Sequence, residues 1–139
     1  DDRNFKDRAK GSMLTALAGP VSNILLAIFL TIVLKILLVT GLLSVTTTNQ
    51  IVGLLVNMLM ITIQFNVIFG IFNMIPLPPF DGSKVLFYFL PQRFRGVMYT
   101  LERYSFIIIL VIFCTNIASF VISPAYSLIL KFLNFILGL

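Results

Sequence analysis

Three apolar runs, residues 13–43, 51–72 and 104–122, contain between them a single charged side chain, Lys35. About 20 apolar residues cross the hydrocarbon core of a bilayer. In lipid every backbone N–H and C=O must be satisfied inside the segment, so such runs are helices. Composition agrees: 59% of the 139 residues are hydrophobic and 11% charged, against about 25% charged in soluble domains. A water-soluble domain this small has too much surface for its volume to hide that apolar area. The expected fold is all-α: a polytopic transmembrane helix bundle with three full spans and a C-terminal hydrophobic segment. Residues 1–139 form a single transmembrane domain in this reading.

Pro20 divides the first run. A proline fits the first turn of a helix, where its missing N–H has no helical partner, so the first membrane helix is expected to start near Pro20. Lys35, about two turns from its end, reaches the interface by snorkelling. Pro124 is expected to end the third span, leaving 125–139 as a short apolar segment interrupted by Lys131. Lys and Arg are concentrated at Arg3, Lys6, Arg8 and Lys10 and again at Lys84, Arg93, Arg95 and Arg103, with none at 43–50. By the positive-inside bias the N-terminus and the 73–103 loop are cytoplasmic and the 43–50 loop is outside, in a multi-pass protein of the cell membrane.

The net charge of +5 follows from these flanking residues. No basic face interleaved with aromatics exists, which excludes nucleic acid as a partner. Cys114, the one cysteine, lies in an apolar run and reads as a small packing residue. There is no histidine. The chain opens on Asp1-Asp2-Arg3-Asn4, without the basic and short apolar regions of a signal peptide, and reads as an internal piece of a longer protein.

Between the second and third runs, Pro76, Pro78 and Pro79 stop any helix. The segment Ile75-Pro76-Leu77-Pro78-Pro79-Phe80 is too apolar for an exposed loop, and irregular backbone at membrane depth must be sheltered by protein or line a wet cavity. A proline-rich, membrane-embedded break is therefore expected before Asp81, followed by a short helix that Pro91 ends. Asp81 is the one acidic residue set in apolar sequence. It reads as an N-cap of that short helix, or as a metal ligand or proton carrier, since an ionisable group at membrane depth marks a functional site. Thr62, Asn66 and Asn73 share a helix face leading toward it. Asn57 and Gln64 lie roughly opposite, where hydrogen bonding between helices accounts for them. In the first run Ala18-Gly19-Pro20 precedes Ser22 and Asn23, small residues for close helix packing beside a polar amide.

Together these segments resemble the site-2 proteases. Asn73-Met74-Ile75-Pro76-Leu77-Pro78-Pro79-Phe80-Asp81-Gly82 fits that family's N-x-x-P-x-P-x-x-D-G pattern. Ala18-Gly19-Pro20-Val21-Ser22-Asn23 fits its A-G-P-x-x-N segment. Arg3-Asn4-Phe5-Lys6 and Leu101-Glu102-Arg103-Tyr104 are similar to its short prokaryotic branch. The likeness covers residues 1–105.

The resemblance implies an intramembrane zinc endopeptidase acting on a transmembrane segment of a substrate protein. It makes Asp81 the third zinc ligand, beside two histidines of an H-E-x-x-H helix whose glutamate activates the zinc-bound water. It gives Asn73 a catalytic and substrate-positioning role. Pro76 and Pro78 keep a strand free to pair with an unwound substrate, and Gly19, Pro20, Asn23 and Gly82 are supporting residues. The chain departs from the family in having no histidine, so Zn2+ is completed from outside it. Two other readings stand beside this one: a non-catalytic relative that binds partner helices, and an ion or proton transport subunit built on Asp81.

Overall fold

The computed structural model describes residues 8–42, 50–115 and 117–138. The N-terminal residues 1–7 and most of the 43–50 loop, on which part of the charge reading rests, lie outside them. All regular structure among the described residues is helical. In chain order the helices are α1 (Arg8–Val39), α2 (Gln50–Asn73), α3 (Asp81–Phe89), α4 (Arg95–Arg103), α5 (Ser105–Cys114) and α6 (Ile117–Leu137), with one 3-10 turn at Gln92–Phe94.

Helix α1 has 32 residues and contains Pro20 in its interior, so the expected start at Pro20 is corrected to Arg8. The stretch Met13-Leu14-Thr15-Ala16-Leu17-Ala18 is rich in strong helix formers, which carry the helix up to the proline. Pro20 forfeits one intrahelical hydrogen bond, but its ring is fully buried. On either side, the Thr15 hydroxyl donates to the Gly11 carbonyl at 2.9 Å and the Ser22 hydroxyl to the Ala18 carbonyl at 2.6 Å. Helix α2 has 24 residues, about 36 Å at 1.5 Å per residue.

The third run also differs from expectation. No single helix covers 104–122, and Pro124 lies inside the 21-residue α6. The division falls at Thr115, whose backbone is extended (φ −109°, ψ 153°) and caps α5. Both its N–H and its hydroxyl, at 2.9 and 2.6 Å, donate to the Val111 carbonyl. Pro124 forfeits one backbone hydrogen bond without ending α6.

α1 packs against α2, α3 and α6, and α2 also touches α6. The core at their junction is Ala27, Leu34, Ile63, Val67, Ile71 and Leu133. Thr31 is buried among them and donates to the Ala27 carbonyl at 2.7 Å. Lys35 does not simply reach for the interface: its Nζ donates at 2.6 Å to the Ile136 carbonyl in the last turn of α6. A cation there complements the helix dipole and the unpaired carbonyls.

The outward faces are apolar. Phe29, Phe106, Phe120 and Phe135 are 61, 74, 84 and 79% exposed. Left in water, each would forgo about 1.5–3 kcal/mol of burial. α1 from Ala9 and α2 are both long and apolar enough to cross a membrane.

Candidate metal-ligand site

At the end of α2 the backbone tightens, with Met74 N–H donating to the Ile71 carbonyl and Ile75 N–H to Phe72, each at 3.1 Å. Residues 74–80 follow no helix. Pro76, Pro78 and Pro79 offer no N–H, and one turn is closed by Phe80 N–H on the Leu77 carbonyl at 3.0 Å. The Pro78–Pro79 bond is cis. The rings of Phe72 and Phe80 meet at 5.8 Å, joining the two ends of the segment. Pro78 is fully buried, whereas Pro76 is exposed.

Phe80, in extended conformation (φ −69°, ψ 151°), is the N-cap of α3 and makes no side-chain cap hydrogen bond. Asp81 is the first helical residue, so its carboxylate is not the cap that the sequence allows. A carboxylate in the first turn still suits the positive end of the helix dipole. Its Oδ1 accepts from Lys84 Nζ at 3.1 Å, the two side chains being 34 and 52% exposed for Asp81 and Lys84 respectively. A partly exposed pair of this kind contributes about 0–1 kcal/mol. Its Oδ2 faces α1, where a β-carbon on Gly19 would lie 3.4 Å away.

Two more glycines fix this junction. A β-carbon on Gly82 would collide with the Met74 carbonyl and lie 2.6 Å from the Ile75 carbonyl oxygen. Only glycine lets the first turn of α3 press against the irregular segment. A β-carbon on Gly70 would stand 2.7 Å from Ile24 Cδ1 and 3.3 Å from the Pro20 carbonyl oxygen. The Gly19-Pro20 turn of α1 is thereby set against α2 at Gly70 and against α3 at Asp81.

Asn23 lies one turn beyond Gly19, on the same face of α1, and is half-buried. Asn73 is the half-buried last residue of α2. Among the described residues no hydrogen bond joins it to Asp81. The polar face leading along α2 is not a relay: Asn66 Nδ2 donates to the Thr62 carbonyl at 2.8 Å and the Thr62 hydroxyl to Met58 at 2.7 Å. Asn57 and Gln64 are exposed. Gly70 and Lys84 were not singled out from sequence as site residues. The signals were a glycine inside an uncharged helix and a lysine one turn after the aspartate.

Residues 3–117 match the family model of peptidase family M50. The chain belongs to peptidase family M50, the site-2 proteases. The "Putative zinc metalloprotease YwhC" of Bacillus subtilis (strain 168) is 36% identical over 124 residues, which are 88% of this chain and 54% of that protein. The chain thus spans about half the length of that curated relative. No solved structure matches it.

An M50 chain implies zinc. Asp81 is a suitable oxygen donor, and the glycine opposite Oδ2 leaves space on that side of the carboxylate. The donor set is incomplete here: no group of three or more His, Cys, Asp or Glu side chains gathers among the described residues. A catalytic zinc takes three protein ligands, so Asp81 fits as one of them.

Proposed function

We propose that this chain is part of the core of an intramembrane zinc endopeptidase, and that Asp81 is its third metal ligand. The observation that carries this reading is the Asp81 carboxylate at the foot of α3, its Oδ2 open toward Gly19 of α1, in a chain of the M50 family. The other two ligands are histidines of an H-E-x-x-H helix outside residues 1–139. When bound, zinc supplies Lewis acidity and an activated water for attack on a peptide carbonyl.

The chain's own residues do the positioning. The bend at 74–80 and the contact of Gly82 with it set where Asp81 stands. Pro76, exposed, offers the outer edge of the segment to an unwound transmembrane peptide, while buried Pro78 anchors it. Asn73 orients the peptide or donates to the oxyanion. Asn23, Gly19 and Pro20 hold α1 against this assembly. The substrate is a transmembrane segment of another protein within the bilayer. The N-terminus and the 73–103 region face the cytoplasm.

The test is cleavage of a transmembrane reporter by the full-length protein, with zinc content measured on the same preparation. Asp81→Ala is expected to abolish cleavage and lower zinc content. Full activity in that variant would remove Asp81 from the site, and zinc-free active protein would remove the metalloprotease reading altogether.

A further inference from the structure

A cavity of about 430 Å³ opens between the start of α1, α3 and α4, lined among others by Ser12, Lys84, Tyr88, Met98 and Glu102. It holds one cation and one anion. Asp81 is not among its lining residues, yet the cation that lines it is the one paired with Asp81, Lys84 Nζ to Oδ1 at 3.1 Å. Lys84 is half-exposed, at 52%, on a flexible four-carbon stem. Glu102 has no ion pair among the described residues and is exposed. One ammonium group thus has a carboxylate on each side: Asp81 within reach now, and Glu102 across the cavity.

We infer that Lys84 is a place-holder for the metal: it neutralises Asp81 while that carboxylate is unliganded and withdraws toward Glu102 when the metal binds. The inference rests on the zinc-ligand reading of Asp81. Two cations on one carboxylate repel each other. Lys84 balances the charge of the partly exposed Asp81 in the metal-free protein, a modest contribution at that exposure. The cavity gives the ammonium a second seat beside the Glu102 carboxylate, so metal entry leaves the displaced cation balanced by an anion. Lys84 is therefore a positioning residue, acting through Asp81.

The experiment is zinc affinity of the full-length protein in detergent, by competition with a chromogenic chelator, for wild type, Lys84→Met, Glu102→Gln and the double variant. Methionine matches the stem of lysine, and at a half-exposed position it needs no repacking. Lys84→Met is expected to bind zinc a few-fold tighter, as the modest strength of an exposed pair allows, Glu102→Gln a few-fold weaker, and the double variant like Lys84→Met alone. Equal or weaker zinc binding in Lys84→Met overturns the inference. So does a Glu102→Gln effect of equal size in both backgrounds, because that is a through-space charge effect needing no movement of Lys84. If wild type binds zinc and Asp81→Ala does not, while Lys84→Met is unchanged, only this inference falls. If Asp81→Ala keeps wild-type zinc affinity, both it and the zinc-ligand reading fall.

Discussion

At the scale of single residues, two glycines beside Asp81 are expected to separate stability from the proposed metal binding. Gly82 meets backbone carbonyls on the far side of its Cα, and backbone does not rearrange as a side chain does. Gly82→Ala is expected to destabilise the protein by about 1–3 kcal/mol, as overpacking does, read as a lower unfolding midpoint in detergent. Gly19 is different. Its added β-carbon would stand 3.4 Å from Asp81 Oδ2, an ordinary contact, and alanine favours helix by about 1 kcal/mol over glycine. Gly19→Ala should therefore keep or raise the midpoint. It should weaken zinc binding by about tenfold, as loss of the setting around a ligand does, because the methyl fills the space beside Oδ2. Unchanged zinc affinity in that variant would show that the metal does not approach from the α1 side.

At the scale of helices, the pairing of Lys35 with the Ile136 carbonyl ties the end of α6 to α1. Lys35→Met is expected to cost about 1.5 kcal/mol, the contribution of a charge-assisted hydrogen bond. It should also raise hydrogen exchange at the last turn of α6 before any other helix; uniform exchange would deny that the contact is local. The helices also show what the sequence can and cannot tell. α2 was legible because its uncharged run matches the membrane thickness. α3 was legible because Asp81 and Pro91 bracket it. The proline rules failed at Pro20 and Pro124. Those rules describe what one ring does to an isolated helix, whereas Pro20 is packed between helices and buried. The break at Thr115 was invisible because no proline or glycine stands at 111–119 to mark it. The meeting of Gly19, Gly70 and Asp81 depends on contacts between residues far apart in sequence. The family pattern pointed to Gly19 and Asp81, but nothing in it gave the approach of Gly70 to Pro20.

At the scale of the whole molecule, four phenylalanines face outward from three helices, α1, α5 and α6, and the buried cluster among the described residues numbers only six. Lipid or further protein is expected to cover these faces. The topology proposed from the basic residues has a direct check in intact cells. With Cys114 replaced by serine, a cysteine at Thr47 is expected to react with a membrane-impermeant maleimide, and a cysteine at Pro91 only after permeabilisation. The reverse pattern would invert the protein and place Asp81 near the opposite surface.

The contact at Gly82 makes a stiff joint. The start of α3 and the carbonyls of residues 74 and 75 touch with no side chain between them to act as a cushion. A peptide that pulled the 74–80 segment outward would therefore drag the first turn of α3 with it, and the carboxylate of Asp81 would travel too. The proposed docking edge at 74–80 and the proposed ligand at Asp81 are then two faces of one rigid bracket, so strain applied at the first is expected to be felt at the second.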